Sequence, residues 1–159
     1  EPAQIGEVII RPGSTKKSVS FTYKLYQGVV AHFKVNEDVE MINGKENLVY
    51  VEANSGPTGE RYESLDEVLS NVIDPIVQHY NEAVSFRDKF LNVSWPELQA
   101  TLRDMKSRDP KRIPYMICPD TRKDRVGSFL LGFVPGTKTV NRASIMITPD
   151  GFKLRNVLH

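Results

Sequence analysis

Arg11 closes an apolar run, Val8-Ile9-Ile10, and is followed at once by Pro12-Gly13-Ser14-Thr15-Lys16-Lys17. Three successive apolar residues read as a strand covered on both faces. A guanidinium at the end of such a strand needs a partner. Pro12-Gly13 forces a turn, beyond which the Ser14 and Thr15 hydroxyls, backbone N–H groups and the ammonium groups of Lys16 and Lys17 can converge on one point. That convergence suits an anion. A phosphate on a peptide fits best, because its charge of about −1.5 to −2 and its oxygen geometry match a bidentate arginine. The competing reading is a strand-end arginine paired with Glu7 on the surface.

Other chemistry is thinly represented. Three histidines (His32, His79, His159) and one cysteine, Cys118, offer no metal-ligand spacing, and no nucleophile elbow, phosphate loop or dinucleotide fingerprint occurs. No catalytic residue, metal or cofactor is therefore expected, and the chain does not read as an enzyme. A single cysteine excludes an intrachain disulfide and, with no basic-then-apolar leader, suggests an intracellular protein. The longest uncharged apolar stretch, 126–134, is too short to span a bilayer, so no membrane is expected as a partner. The net charge of +1 hides a separation: residues 36–82 hold eleven acids and two bases, residues 83–159 fourteen bases and seven acids. The basic half, with Arg122, Lys123, Arg125, Arg142 and Lys153 as candidates, could attract an anionic partner. No nucleic-acid motif accompanies it, so nucleic acid is weakly supported.

The elements that must position these groups follow from periodicity. Val19, Phe21, Tyr23 and Leu25, then Ala31, Phe33 and Val35, alternate with polar residues around Gln27-Gly28, which predicts a hairpin. Both apolar sets face one side only if the loop is odd, as the three residues Gln27-Gly28-Val29 would be. Lys24 then opposes His32, and Thr22 opposes Lys34. If the Arg11 strand pairs with residues 18–25, the two lysines and the histidine approach Arg11. Asn43-Gly44 marks a tight turn, Leu48 to Val51 a short strand, and Asn54 to Glu60 a loop containing Gly56-Pro57.

The period then changes. Leu65, Val68, Leu69, Val72, Ile73, Ile76, Val77 and Tyr80 trace an amphipathic helix, opened by a Ser64/Glu67 capping box and interrupted at Pro75. A second box, Ser94 to Glu97, opens a helix along Leu98, Leu102 and Met105 that ends near Ser107. Strands are predicted over 113–118, 127–134, 143–148 and 152–155, with a turn at Asp150-Gly151. VIIRPGS followed by SFTYKL is echoed by YMICPDT followed by SFLLGF, which places Cys118 where Arg11 stands. The echo predicts two copies of one sheet unit, the second lacking the arginine. Cys118 reads as an inert buried thiol and Trp95 as core or a seam between units.

The Val-Ile-Ile-Arg strand, the Ser14-Thr15 loop, the strand Ala31-His32-Phe33-Lys34-Val35 and the helix opening Tyr62 to Leu69 resemble the Src homology 2 fold in order and spacing. More narrowly, GEVIIRPGS, IPYMICPD at 113–120 and ITPDGFKLR at 147–155 are similar to the tandem Src homology 2 module of a family of eukaryotic transcription elongation factors and histone chaperones. The resemblance covers nearly the whole chain. It implies an α+β fold of two Src-homology-2-like units, 1–82 and 83–159, each a central antiparallel sheet flanked by helices. Residues 81–93 lack the composition of a flexible linker, so the two are expected to pack as one module.

The resemblance further implies a non-catalytic nuclear protein that binds phosphorylated linker or C-terminal segments of the RNA polymerase II largest subunit. Phosphothreonine and phosphoserine would be read alongside phosphotyrosine. Carried onto this chain, Arg11 grips the phosphate, Ser14 and Thr15 are loop donors beside it, and His32 and Lys34 flank the pocket. Arg122, Lys123 and Arg125 are candidates for a second site. Gly13 departs from the family's usual hydroxyl residue, and its backbone N–H is expected to donate instead. Only residues 1–6 precede the first strand and 156–159 follow the last, so the opening and closing helices are expected to be absent or trimmed. The alternatives are a basic second unit that binds nucleic acid and a docking domain indifferent to phosphate.

Overall fold

The computed structural model describes residues 3–53, 55–56, 59–86, 88–136 and 139–158, with side chains in the final strand described as far as Arg155. Asn54 and Pro57 of the expected loop, and His159, lie outside the described residues. The fold is α+β and divides into two compact units, Glu1–Val77 and Gln78–His159.

The first unit is built on a five-stranded antiparallel sheet in the order β1 (Val8–Pro12), β2 (Ser18–Tyr26), β3 (Val29–Ile42), β4 (Lys45–Glu52) and β5 (Arg61–Tyr62). Alternation decides its faces. Phe21, Leu25, Ala31 and Val35 are buried on one side, and the Phe21 and Phe33 rings lie 6.4 Å apart. The hairpin register differs from the odd-loop expectation. The turn holds only Gln27 and Gly28, with Gly28 at φ 75°, and a bulge between Lys24 and Tyr26 supplies the extra residue that parity demands. Thr22 therefore opposes His32, Ser20 opposes Lys34, and Lys24 opposes Val30. β1 also departs from the reading as a strand covered on both faces. It is an edge strand, with Ile9 and Ile10 55% and 40% exposed. A short apolar run by itself does not distinguish the two.

A helical run follows: α1 (Leu65–Val68), a π-helical turn at Leu69–Ile73 and α2 (Asp74–Ser85). Ser64 caps it by accepting the Glu67 N–H at 3.1 Å. Pro75 cannot donate to the carbonyl one turn earlier, and the widened π turn just ahead of it lets the helix restart at Asp74. Val68, Val72 and Ile73 are its buried stripe within the first unit.

The second unit carries a four-stranded antiparallel sheet, β6 (Tyr115–Pro119), β7 (Phe129–Phe133), β8 (Asn141–Thr148) and β9 (Gly151–Leu158). α3 (Trp95–Arg108) starts at the second capping box, where Glu97 accepts the Ser94 N–H at 2.8 Å. Its Leu98 and Leu102 form one core with Met116, Cys118, Leu130 and Val134, and Trp95 packs against that core. Gly132 permits the close approach, since a Cβ there would sit 2.6 Å from Leu102 Cδ1. No helix among the described residues is long and apolar enough to cross a membrane.

Candidate anion-binding site

The strand register assembles the site on the sheet face opposite the buried aromatics of the first unit. Arg11, Ser20 and Lys34 form one cross-strand row, and Ile9, Thr22 and His32 the next. With neighbouring strands about 4.8 Å apart, the Arg11 and Lys34 backbones are separated by about 10 Å. Two cations on long side chains at that spacing can close on one tetrahedral anion.

Hydrogen bonds fix the parts. Arg11 Nη2 donates to Thr22 Oγ1 at 3.0 Å, and Thr22 Oγ1 lies 2.9 Å from His32 Nδ1. With one lone pair taken by the guanidinium, the Thr22 proton is available to a neutral His32 ring. Lys34 Nζ donates to Ser14 Oγ at 3.2 Å, which leaves the Ser14 proton free for an acceptor. Four of the sequence-predicted residues thus fall into two hydrogen-bonded sets, Arg11 and His32 through Thr22, and Lys34 with Ser14, anchored on neighbouring cross-strand rows. Lys24 does not join them, because its ammonium donates to the Ala3 carbonyl. Glu7 does not pair with Arg11 either; its carboxylate accepts the Gln4 N–H at 2.8 Å. Thr22 was missed in the sequence, since only the observed register places it beside both Arg11 and His32.

The β1–β2 loop is internally bonded. Thr15 Oγ1 donates to Ser18 Oγ at 2.9 Å, and Ser18 Oγ donates to the Thr15 carbonyl at 2.8 Å. The Gly13 N–H, expected as a substitute donor, instead binds the Ser18 carbonyl at 2.7 Å and so faces into the loop. A side chain there would be crowded: a Cβ at Gly13 would stand 2.1 Å from Ser18 Oγ. A cavity of about 660 Å³ lies beneath this loop, but Ile10, Pro12, Val19, Glu37 and Leu65 shape it from the other side of the sheet. Arg11, Ser14 and Thr15 also line it, although strand parity sets Arg11 on the face opposite Ile10 and Pro12.

The corresponding loop of the second unit is arranged differently. Cys118 is fully buried, and desolvation, then the nearby Asp120 carboxylate, pushes its thiol pKa up to about 12. Arg122 Nε donates to Asp120 Oδ1 at 2.9 Å and its Nη2 to Oδ2, while the Asp120 side chain is only 1% exposed. Burial alone would raise the Asp120 pKa. Hydrogen bonds and charge from Arg122, with a contribution from Arg125, outweigh it and hold the carboxyl below its ordinary value. Arg125 contacts Asp124 at 3.3 Å, and the Arg142 guanidinium lies 5.6 Å from the Trp95 ring centroid. Lys123 and Lys153 are exposed. Among the described residues, no group of acids, histidines and cysteines could hold a metal ion.

Residues 1–159 match the SH2 domain family. The chain is 34% identical over 156 residues to the transcription elongation factor SPT6 homolog of Arabidopsis thaliana, covering 94% of this chain and 9% of that protein. It is 26% identical to the Suppressor of Ty 6 homolog of Caenorhabditis elegans, covering 94% of this chain and 10% of the relative. The chain thus spans about a tenth of the length of these curated relatives. Among solved structures, it matches the tandem SH2 domain of transcription elongation factor Spt6 that binds the phosphorylated RNA polymerase II C-terminal repeat domain. The TM-score is 0.78 at 24% identity, over 96% of this chain and 75% of the other. The tandem SH2 domains of Antonospora locustae Spt6 match with a TM-score of 0.65 at 20% identity, over 89% of this chain and 69% of theirs. The likeness in fold is that of a tandem SH2 module.

Proposed function

Because the chain belongs to the SH2 domain family, we propose that it is a non-catalytic phosphopeptide-binding module of a nuclear transcription elongation factor. Its ligand is a phosphorylated linker or C-terminal segment of the RNA polymerase II largest subunit; a tandem SH2 domain of similar fold binds the phosphorylated C-terminal repeat domain. The observation that supports this reading is the pair of hydrogen-bonded sets on neighbouring cross-strand rows, Arg11 with Thr22 and His32, and Lys34 with Ser14 of the adjoining loop. Arg11 supplies a charge-assisted, fork-shaped contact to phosphate, Ser14 a hydroxyl donor and Lys34 a second positive charge. Thr15 helps to hold the loop through Ser18. Phosphate contacts are assigned to the first unit, since the Arg122 guanidinium of the second is engaged by Asp120.

The test is fluorescence anisotropy of matched phosphorylated and unphosphorylated polymerase peptides against the wild-type chain and Arg11→Ala at fixed moderate salt. Truncating Arg11 should weaken phosphopeptide binding by about 2–5 kcal/mol. Binding indifferent to phosphate and to Arg11 overturns the reading in favour of a docking domain. Binding that survives Arg11→Ala but collapses with added salt, and with loss of bases in residues 103–125, overturns it in favour of nucleic acid.

A further inference from the structure

β3 and β4 outrun their sheet. β2 follows β3 only to the Ser18↔Asn36 pair, and β5 pairs with β4 only at Tyr50 and Val51. Beyond those points β3 and β4 continue as a two-stranded ribbon out to Ile42↔Lys45, closed by Asn43 and Gly44 at φ 52° and 75°. Directly opposed residues of an antiparallel pair share a face. One ribbon face therefore carries Glu37, Val39 and Met41 opposite Tyr50, Leu48 and Glu46. Val39, Met41 and Leu48 are 52%, 62% and 49% exposed. The other face is partly covered, with Val49 buried opposite Asp38, but this one is not. Scattered exposed apolar residues need no explanation, whereas three adjoining ones on one uncovered ribbon face mark an interaction surface.

Charge specifies the occupant. On the opposite face, Arg61 lies 3.3 Å from Asp38 and 3.9 Å from Glu40, so those acids are already matched. Glu37 and Glu46 have no ion-pair partner among the described residues. They bracket the apolar stripe at its two ends, four strand positions apart, which is about 13 Å at about 3.3 Å per residue. An extended segment presents residues i, i+2 and i+4 on one side with the same spacing.

We propose that this ribbon face docks an extended basic segment of a partner protein, of the form basic-x-apolar-x-basic, independently of phosphate. The apolar side chain sits on Val39, Met41 and Leu48, and the two cations meet Glu37 and Glu46. Rim ion pairs of this kind contribute little energy but set register and discriminate against acidic segments.

The probe is a synthetic unphosphorylated peptide containing Lys-Thr-Leu-Thr-Lys, compared with its Glu-Thr-Leu-Thr-Glu counterpart on the full chain by anisotropy and by amide chemical-shift mapping. The expected result is binding of the lysine peptide, with shifts centred on residues 37–50. Met41→Ser with Leu48→Ser should weaken it at least about fivefold, and Arg11→Ala should leave it unchanged. Both substituted side chains are exposed, and thermal melts check that the variant folds. Glu37→Lys with Glu46→Lys should invert the preference toward the glutamate peptide. Shifts located elsewhere, no binding, or an unchanged preference after the charge swap would overturn the proposal. Dilution-dependent self-association through the ribbon would overturn it too, by assigning the face to a second copy.

Discussion

Thr22 joins Arg11 to His32, and Thr22→Val isolates that role because valine keeps the shape and removes the hydroxyl. In the wild-type chain the hydroxyl accepts from Arg11 Nη2 at 3.0 Å and lies 2.9 Å from His32 Nδ1. Both bonds are exposed to water, so each contributes at the lower end of the usual range of about 0.5–1.5 kcal/mol. An untethered Arg11 must also be ordered when ligand binds, at about 0.5–1.5 kcal/mol for a long side chain. The expected loss of phosphopeptide affinity is about 1 kcal/mol, or about fivefold in Kd. That is well short of the loss from Arg11→Ala. Thr22→Ser restores the hydroxyl and should recover most of the affinity. The coupling is the sharper readout: in an Arg11→Ala background, Thr22→Val should change almost nothing, because the group it positions is gone. Anisotropy titrations of the four chains against one phosphopeptide at fixed salt measure the cycle. Additive losses would refute the positioning role, as would a Thr22→Val chain that binds like wild type.

Gly13→Ser should not restore the donor that the family pattern has at this position. Its Cβ would meet Ser18 Oγ at 2.1 Å and the Ser18 carbonyl carbon at 3.2 Å, so the loop must shift. A fall in stability of about 1–3 kcal/mol, read from a denaturant midpoint, is expected. Weaker phosphopeptide binding should accompany it, with partial relief from Ser18→Ala. Asp120→Asn should destabilise the chain by about 1–3 kcal/mol at neutral pH, toward the lower value because Arg122 is 46% exposed and partly screened. The folded-state pKa of Asp120 is depressed, so its contribution is present above the unfolded value of about 3.9 and is lost as pH falls through the folded value. Unfolding midpoints measured down through the acid range should therefore fall more steeply for wild type than for Asp120→Asn.

Much of the framework was legible because local rules agreed with one another. The two Ser-x-x-Glu boxes marked both helix starts, Asn43-Gly44 and Asp150-Gly151 marked turns, and Phe21, Ala31 and Val35 marked the buried sheet face. The register of the first hairpin was not legible. A three-residue loop and a two-residue turn with a bulge satisfy the same parity, and they differ by a shift of two that alternation does not register. That shift moved Thr22 from Lys34 to His32 and hid it as a site residue. The ribbon was hidden for another reason. Glu37 breaks the apolar alternation that Val35, Val39 and Met41 would otherwise share, and with Val49 the buried ribbon residue opposite Asp38, little hydrophobic period is left to read.

The echo between VIIRPGS and YMICPDT was real as architecture, since β1 and β6 each lie at a sheet edge and pair antiparallel with the next strand. Chemistry did not follow it, and burial explains why. Cys118 shares a closed core with Leu98 and Leu102 of α3, so a guanidinium there would be a buried charge requiring full compensation. Arg11 stands on an exposed strand, where its guanidinium donates to Thr22. The loops diverge in the same sense. After β1 the loop keeps Ser14 beside Lys34 with its proton unassigned, whereas after β6 Asp120 supplies a carboxylate that occupies Arg122 from within. On the proposed reading, an arginine can act as a reader only where its own chain leaves it short of negative charge; among the described ion pairs Arg11 has no carboxylate partner, whereas the loop after β6 answers Arg122 with Asp120.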